Sequence, residues 1–330
     1  MVNIAINGFG RIGRNFTKAL IEKNSKLNLV AVNDLFEPKQ LALLLKYDSI
    51  YGPIKADVKA TEKGIVINGK EVLLTKETDP TKLPWAKLGV DIVLESTGRF
   101  TKKEKAKSHI TAGAKKVVIS APADDADATI VLGVNEAMLK PELQVISMGS
   151  CTTNCLAPFA KVVDETFGIV NGLMTTVHAY TNDQKIVDMP HEDMRRARSA
   201  ALSIIPTSTG AAKAIGLVLP NLKGKLHGIA MRVPVPVGSV VDLVVNLAKT
   251  ATVKDINAAV KKAADGPMKG ILEYCEDPIV SADIRGNSHS SVFDSGMTQM
   301  LGDKFAKLIS WYDNEYAFSC RLVELMEKWK

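Results

Sequence analysis

The chain has 330 residues, of which 46% are hydrophobic and 24% are charged, and its formal net charge is +6. This length is large for one core, so two domains are expected, and the composition is typical of a globular protein rather than a disordered one. No apolar run approaches the roughly 18 residues that a membrane span needs, the four cysteines are too few for a disulfide framework, and the mild positive charge favours anionic ligands without requiring nucleic acid. Because the first predicted strand begins at Val2 and leaves no room for a leader, we expect a cytoplasmic location.

The first half alternates short apolar runs with helical patterns, as buried parallel strands joined by crossover helices do. Strands are predicted at residues 2–6, 27–33, 90–95, 117–120 and 145–148, and helices at residues 11–22 and 102–112, among others. We therefore expect an α/β protein in which residues 1–150 form a Rossmann-type domain on a mostly parallel sheet.

The second half changes character. Its longer Val-rich runs, at residues 173–180, 227–233 and 239–247, alternate in places and indicate an antiparallel sheet with one covered face. Residues 151–314 are therefore predicted to form an α+β catalytic domain on a mainly antiparallel sheet. The apolar pattern of residues 314–328 predicts an amphipathic helix, and we expect the C-terminal helix, residues 315–330, to pack back on the first domain.

A glycine turn follows the first strand directly. Gly8, Gly10 and Gly13 form a G-x-G-x-x-G pattern at the start of a predicted helix, where free N–H groups hold a pyrophosphate. Asp34 ends the next predicted strand, about 20 residues later, where a carboxylate binds the ribose hydroxyls and repels a 2′-phosphate. The combination predicts a dinucleotide site that prefers NAD to NADP.

A thiol stands where another helix is predicted to begin. Cys151 follows a Gly-Ser turn, and the dipole and unpaired N–H groups of a helix N-terminus lower the pKa of a thiol. A nucleophilic sulfur together with a redox cofactor suggests covalent capture of an aldehyde followed by hydride transfer. Cys155, one turn further along, is expected to be a buried structural residue. The Cys-x-x-x-Cys spacing without a second pair is a poor zinc signature, so no metal is assigned.

The thiol needs a base, and His178 is the candidate. It lies in a predicted strand whose alternation places Thr176, His178 and Tyr180 on one face, and a histidine there would pair with Cys151 and shuttle protons. His109 falls in a lysine-rich predicted helix and His191 in a charged loop, so neither is assigned a catalytic role.

Seven motifs run through the whole chain in one order, and the cysteine motif is highly specific. They are NGFGRIGR at residues 7–14, VND at 32–34, ESTG at 95–98, SAP at 120–122, SCTTNC at 150–155, TSTGAAK at 207–213 and WYDNE at 311–315. In these motifs the chain resembles the family of phosphorylating, glycolytic glyceraldehyde-3-phosphate dehydrogenases of the bacterial type. The resemblance implies oxidation of glyceraldehyde 3-phosphate with NAD and inorganic phosphate to 1,3-bisphosphoglycerate and NADH, through a cysteine thioester, in a homotetramer.

The resemblance also implies roles for individual residues. Cys151 is similar to the nucleophile and His178 to its base and oxyanion partner. The implied NAD contacts are Gly10, Arg11, Ile12, Asp34, Thr78, Ser120 and Asn314, the last of which orients the nicotinamide carboxamide. The implied anchors of the substrate phosphate are Thr181, Arg196 and Arg232. The implied pocket of inorganic phosphate consists of Ser150, Thr152, Thr209 and Gly210.

Several positions depart from the family pattern. Thr78 stands where many bacterial members carry arginine, so its backbone is the expected contact, and Met148, Val235 and Ala317-Phe318 also differ. The phosphate-binding residues do not exclude erythrose 4-phosphate as the aldehyde. A protein that binds RNA or acts at a cell surface is an alternative of another class, although no basic patch interleaved with aromatic residues supports it.

Overall fold

The computed structural model describes residues 1–329 and divides into two compact units. Unit 1 comprises Met1–Ile130, Ala137–Gly149 and the chain from Ser319 onward, and unit 2 comprises Val131–Glu136 and Ser150–Phe318. The last helix contacts the start of unit 1, since Lys23 pairs with Glu324 at 3.0 Å and the Ser25 hydroxyl donates to Glu327 at 2.6 Å. Within residues 1–329, every helix is too short or too polar to cross a membrane.

Unit 1 is built on a nine-stranded sheet of order β10-β11-β9-β8-β1-β2-β7-β6-β5. All pairs from β10 to β7 are parallel, and β5, β6 and β7 pair antiparallel at one end. The strands of unit 1, including the separate β3–β4 pair, are β1 Val2–Asn7, β2 Leu27–Asn33, β3 Tyr47–Asp48, β4 Gly52–Pro53, β5 Val58–Ala60, β6 Gly64–Ile67, β7 Lys70–Thr75, β8 Ile92–Glu95, β9 Lys116–Ile119, β10 Ala128–Thr129 and β11 Val145–Ser147. The five predicted strands are all present, and the antiparallel edge was not foreseen.

The helices of unit 1 are mostly short. They are α1 Arg11–Glu22, α2 Pro38–Lys46, α3 Trp85–Leu88, α4 Lys103–Ala106, α5 Ser108–Thr111 and most of α9 Tyr316–Lys328, with 3-10 turns at Pro80–Lys82 and Glu136–Met138. The single helix predicted over residues 102–112 is wrong in part, because it divides into α4 and α5. The Ser108 hydroxyl donates to the Lys105 carbonyl at 2.6 Å, which is the side-chain competition that interrupts helices.

Unit 2 is built on an eight-stranded sheet of order β13-β14-β12-β15-β19-β17-β16, with β18 paired to β19. Only β12–β14 and β16–β17 among its described pairs are parallel. Its elements are α6 Cys151–Phe167, β12 Ile169–Ala179, β13 Ile205–Ser208, α7 Ala211–Val218, β14 Leu226–Val233, β15 Ser239–Leu247, α8 Val253–Asp265, β16 Leu272–Cys275, β17 Ser291–Asp294, β18 Gln299–Leu301 and β19 Phe305–Tyr312, with 3-10 turns at Pro220–Leu222, Ser281–Ile284 and Ser295–Met297. The predicted fold class, a mostly parallel sheet followed by a mainly antiparallel one, is confirmed.

The long helix α6 fills one face of the second sheet. Its side chains at Leu156, Phe159, Ala160 and Val163 are fully buried in one core with those of β12, β15 and β19. This apolar spacing of three and four residues is that of a helix face packed on a sheet, and it holds the first turn of α6 at a defined place.

Candidate active site

A groove of about 310 Å³ lies at the carboxyl ends of the parallel strands of unit 1. It is lined by Asn7, Gly8 and Gly10, by residues at and after the ends of β2, β7 and β8, and by Phe100. In open α/β sheets, ligands bind outside the carboxyl ends of the strands. Of the predicted cofactor residues, Gly10, Asp34 and Thr78 line this groove.

The glycine turn is tightly packed at Gly8 and Gly13 and open at Gly10. A Cβ on Gly13 would lie 2.5 Å from the Gly8 carbonyl oxygen, and a Cβ on Gly8, whose φ is +94°, would lie 2.8 Å from Thr97 N. At Gly10 a Cβ would meet no atom of the described chain within 4 Å. Gly10 is also the N-cap of α1 and, as a glycine, offers no side-chain cap of its own, so the start of this helix suits an anion. These residues fit a bound dinucleotide.

Asp34 closes the turn from the neighbouring strand. Its Oδ2 accepts from Phe9 N at 2.7 Å, and its Oδ1 accepts from Phe36 N at 3.3 Å. The carboxylate is thereby fixed beside the groove, where it would repel a negatively charged group such as a 2′-phosphate.

The Arg11 side chain turns to another partner. Its Nη1 donates to Asp48 Oδ2 at 2.7 Å. The pKa of Asp48 is lowered: burial raises it, but the Ile50 N–H, Arg11 and the Tyr51 N–H together lower it by more. Arg11 and Ile12 form the first turn of α1 next to Gly10. Ser120 follows β9, and its hydroxyl donates to the Glu95 carbonyl at 3.0 Å.

Cys151 is the first residue of α6 in unit 2. Ser150 caps the helix, since its Oγ accepts from Thr153 N at 3.0 Å, and Cys151 itself is half-buried. Cys155 is fully buried, with its Sγ 3.6 Å from the Ser310 carbonyl, as expected of a structural cysteine.

The predicted base faces the predicted nucleophile. Cys151 Sγ and His178 Nε2 are 3.4 Å apart. His178 Nδ1 lies 2.7 Å from the Ala179 carbonyl oxygen, which only accepts, and 3.1 Å from Arg232 Nη1, which only donates. The shorter contact favours the tautomer in which Nδ1 carries the proton and Nε2 presents its lone pair to the sulfur. The Tyr312 ring meets the imidazole edge to face at 5.9 Å and steadies its orientation.

The electrostatics of this pair differ from the sequence expectation. Burial raises the pKa of the Cys151 thiol to about 11, although Arg232 and Thr152 act in the opposite direction. Burial, and next the charge of Arg232, lower the pKa of His178 to about 3. The predicted low pKa of a thiol at a helix N-terminus is therefore wrong here, because desolvation outweighs the helix terminus and the cation. A thiol with a raised pKa beside an imidazole with a lowered pKa favours the neutral pair, in which the thiol donates to Nε2.

Arg232 stands beside His178 because the two residues are register partners in the parallel pair β12–β14. Its Nη1 lies 3.1 Å from His178 Nδ1 and donates to the Ala179 carbonyl at 3.2 Å and to the Thr181 hydroxyl at 3.3 Å. Arg232 Nε and Gln184 Nε2 are buried donors with no acceptor within the described part of the chain. Such donors are costly unless a ligand supplies acceptors.

Arg196 belongs to a different group of residues. Its Nη1 pairs with Asp183 at 2.5 Å, its Nε donates to the Thr207 hydroxyl at 2.9 Å, and its Nη2 donates to the Ser208 carbonyl at 3.2 Å. The next residues are Thr209, whose Oγ1 accepts from Ala211 N at 3.2 Å, and Gly210, the N-cap of α7. Arg196 thus contacts Thr207 and Ser208, which precede Thr209, and also Asp183, which lies in the same loop as Thr181. Arg232 contacts Thr181.

Two further side chains tie the site together. The Tyr312 hydroxyl bonds Thr152 Oγ1 at 2.8 Å and Thr176 Oγ1 at 2.9 Å. Asn314 is buried, and its Oδ1 accepts from Ser239 Oγ, which in turn accepts from Ala179 N, each at 3.0 Å. The sequence pattern assigns no role to Tyr312 or Ser239, because the pairing of β15 with β12 and β19 brings them to the site. Gln184 lies in the loop after β12, where no motif marks it.

Comparisons with known proteins match one family over nearly the whole chain. Residues 2–103 match the family model described as glyceraldehyde 3-phosphate dehydrogenase, NAD binding domain, and residues 150–314 match the one described as its C-terminal domain. Glyceraldehyde-3-phosphate dehydrogenase of Geobacillus stearothermophilus is 58% identical over 98% of this chain and 97% of its own, and that of Streptomyces coelicolor is 60% identical over the same shares. The protein of the same name from Borreliella burgdorferi is 57% identical over 99% of both chains.

Proposed function

The chain belongs to the glyceraldehyde 3-phosphate dehydrogenase family, and from this premise we propose how its residues carry out the reaction. It is an NAD-dependent oxidoreductase that oxidises glyceraldehyde 3-phosphate. The observation that supports the mechanism most directly is the 3.4 Å contact between Cys151 Sγ and His178 Nε2.

In the first step Cys151 Sγ attacks the aldehyde carbon while His178 Nε2 takes the thiol proton. The proton then passes to the carbonyl oxygen, which gives a hemithioacetal on Cys151. A neutral imidazole with its Nε2 lone pair toward the sulfur is suited to this transfer. The Cys151 N–H at the helix start and the His178 ring are proposed to stabilise the developing oxyanion.

In the second step His178 removes the hydroxyl proton of the hemithioacetal, and a thioester on Cys151 remains. Bound NAD supplies the hydride acceptor in this step. Inorganic phosphate then attacks the thioester carbon, the C–S bond breaks, and 1,3-bisphosphoglycerate leaves. Ser150, Thr152, Thr209 and Gly210 are proposed to bind the attacking phosphate. The contacts of Arg196 with Thr207 and Ser208 support adding it to this set rather than to the substrate anchors.

The phosphate of the substrate is proposed to bind at Thr181 and Arg232. The contact between Arg232 and the Thr181 hydroxyl and the buried Arg232 Nε and Gln184 Nε2 donors support this assignment, since phosphate oxygens would satisfy those donors. Gln184 is thus a further candidate, because its Oε1 also accepts from Thr181 N at 3.4 Å.

Gly10, Arg11, Ile12, Asp34, Thr78, Ser120 and Asn314 remain the proposed NAD contacts. For Arg11, the ion pair with Asp48 favours a contact through its backbone rather than through its guanidinium. Residues 1–150 as the NAD-binding domain and 151–314 as the catalytic domain remain a proposal about function, as does a cytoplasmic location.

A homotetramer is proposed as the assembly. Apolar side chains between residues 186 and 204 are well exposed, among them Ile186 at 82%, Met194 at 84% and Leu202 at 85%. Exposed apolar clusters of this kind mark protein interfaces. Sedimentation of the purified protein tests the assembly, and a monomer would contradict it.

Absorbance in the NADH band is the direct test of the reaction, with NAD and glyceraldehyde 3-phosphate supplied and phosphate present or withheld. We expect turnover with phosphate and a single burst without it. Mass spectrometry of the protein stopped without phosphate should find the acyl group on Cys151. The Cys151→Ser variant should retain NAD binding and lose nearly all turnover.

Two outcomes would favour the alternatives. A higher kcat/KM for erythrose 4-phosphate would reassign the substrate. Salt-sensitive RNA binding that NAD displaces, together with no turnover, would favour the non-enzymatic alternative.

A further inference from the structure

A chain of buried hydrogen bonds runs beside the dinucleotide groove of unit 1. It begins at Trp85, whose indole Nε1–H donates to His109 Nδ1 at 3.1 Å. The other ring nitrogen of His109, Nε2, lies 3.0 Å from Glu95 Oε2. Trp85 and His109 are 0% exposed and Glu95 is 1% exposed, so solvent does not complete any of these contacts. His109, which the sequence pattern places on a lysine-rich helix, is therefore a core residue.

The partners of His109 determine where its proton lies. An indole nitrogen only donates, so His109 Nδ1 must accept and is unprotonated. Its Nε2 then carries the ring hydrogen and donates to Glu95. Trp85 thus favours the Nε2–H tautomer of His109.

Glu95 collects four donors, two on each oxygen. Oε2 accepts from His109 and from Asn7 Nδ2 at 2.6 Å, and Oε1 accepts from Thr97 N at 2.8 Å and from Thr97 Oγ1 at 2.5 Å. A carboxylate is an acceptor only, and four neutral donors match it. Glu95 therefore joins the end of β1 to the segment that follows β8.

The network continues into the wall of the groove. Asn7 Oδ1 accepts from Asn33 Nδ2 at 2.7 Å, and Asn33 Oδ1 accepts from Glu77 N at 2.9 Å. Asn7, Asn33, Glu77 and Thr97 all line the groove. The ends of β1 and β2 and the segments after β7 and β8 are thus held in one arrangement, and His109 supports them without lining the groove itself.

We propose that His109 is a positioning residue for the cofactor, which it serves by donating to Glu95 and so fixing Asn7 and Thr97 in the groove wall. This proposal rests on the proposed binding of NAD in this groove. Preorganised donors and acceptors bind a ligand better than mobile ones, because less order has to be created on binding. The network therefore acts on NAD affinity and leaves the Cys151 chemistry unchanged.

Two amide substitutions distinguish the roles of the two ring nitrogens of His109. His109→Gln places an amide nitrogen near Nε2 and retains a donor to Glu95, whereas His109→Asn places an amide oxygen near Nδ1 and loses that donor. For His109→Asn we expect the NAD Kd from calorimetry and the KM for NAD to rise about tenfold, which corresponds to about 1.4 kcal/mol. The kcat at saturating NAD and the KM for glyceraldehyde 3-phosphate should stay within about twofold. His109→Gln should recover most of the NAD affinity.

Thr111→Ala, an exposed position on the same helix, is the matched control and should bind NAD as the parent does. Glu95→Gln removes an acceptor from the same network and should repeat the loss, so it decides the question if His109→Asn does not fold. The proposal is overturned if NAD binds His109→Asn as tightly as the parent while only the thermal midpoint falls, or if the Gln and Asn variants lose affinity equally. A parent protein that binds NAD but does not oxidise the aldehyde would refute the proposed function and leave this inference standing.

Discussion

Replacing His178 by asparagine tests the catalytic pair most directly. Asn is polar but smaller than His, and it removes the Nε2 lone pair that faces Cys151 Sγ at 3.4 Å. Without that base, the sulfur can react only as thiolate formed by loss of its proton to solvent. Burial raises the pKa of the thiol to about 11, so only a small fraction of it is thiolate at neutral pH. A general base contributes about 10²–10⁴ in rate, and we expect kcat to fall by that factor.

The assay is alkylation of Cys151 by iodoacetamide as a function of pH, with the label assigned by mass spectrometry. In the variant the rate should rise about tenfold per pH unit through the neutral range and level off only in the alkaline range. In the parent, the imidazole assists and a substantial rate persists near neutrality. His227→Asn, the same change at an exposed position on β14, is the control. Superimposable profiles for the parent and His178→Asn would refute the pairing.

Three further predictions address the cofactor and the substrate phosphate. Gly13→Ala should lower the free energy of unfolding by about 1–3 kcal/mol in denaturant, because its Cβ would meet Gly8 O at 2.5 Å. Gly10→Ala should leave stability intact and weaken NAD binding. Equal stabilities of the two variants would contradict the steric argument. Asp34→Asn should raise kcat/KM for NADP relative to NAD, since it removes the charge opposing a 2′-phosphate, and an unchanged ratio would exclude that role. Arg232→Leu should raise the KM for glyceraldehyde 3-phosphate by about 10-fold or more and move alkylation of Cys151 to higher pH, because Arg232 lowers the thiol pKa; an unchanged KM would remove Arg232 from the phosphate site.

Local patterns were sufficient to predict several main elements of this chain, although not the antiparallel edge of the first sheet. The buried strands of unit 1, the helix that begins at Cys151 and the glycine turn after β1 each depend on residues within about 20 positions of one another, and all are present. Such features depend on backbone preferences and on periodic burial, which neighbouring residues determine.

The direction in which the pKa of the Cys151 thiol is shifted could not be predicted from local patterns. A helix N-terminus is visible in the sequence and predicts a low thiol pKa. The opposing effect is desolvation of the sulfur, and Cys151 packs against a core to which β12, β14 and β19 contribute. Arg196 is a similar case, because β13 rather than any local motif places it beside Thr207 and Ser208.

By itself, the sequence determined the fold class, the order of the predicted elements and the family. Only the tertiary structure decided that His178 directs Nε2 to the sulfur, that Arg232 neighbours it through strand register, and that His109 lies in the core with Trp85 and Glu95. The physical reason is that hydrogen-bond direction and desolvation depend on distances between atoms that chain connectivity leaves free until the sheets and helices have packed.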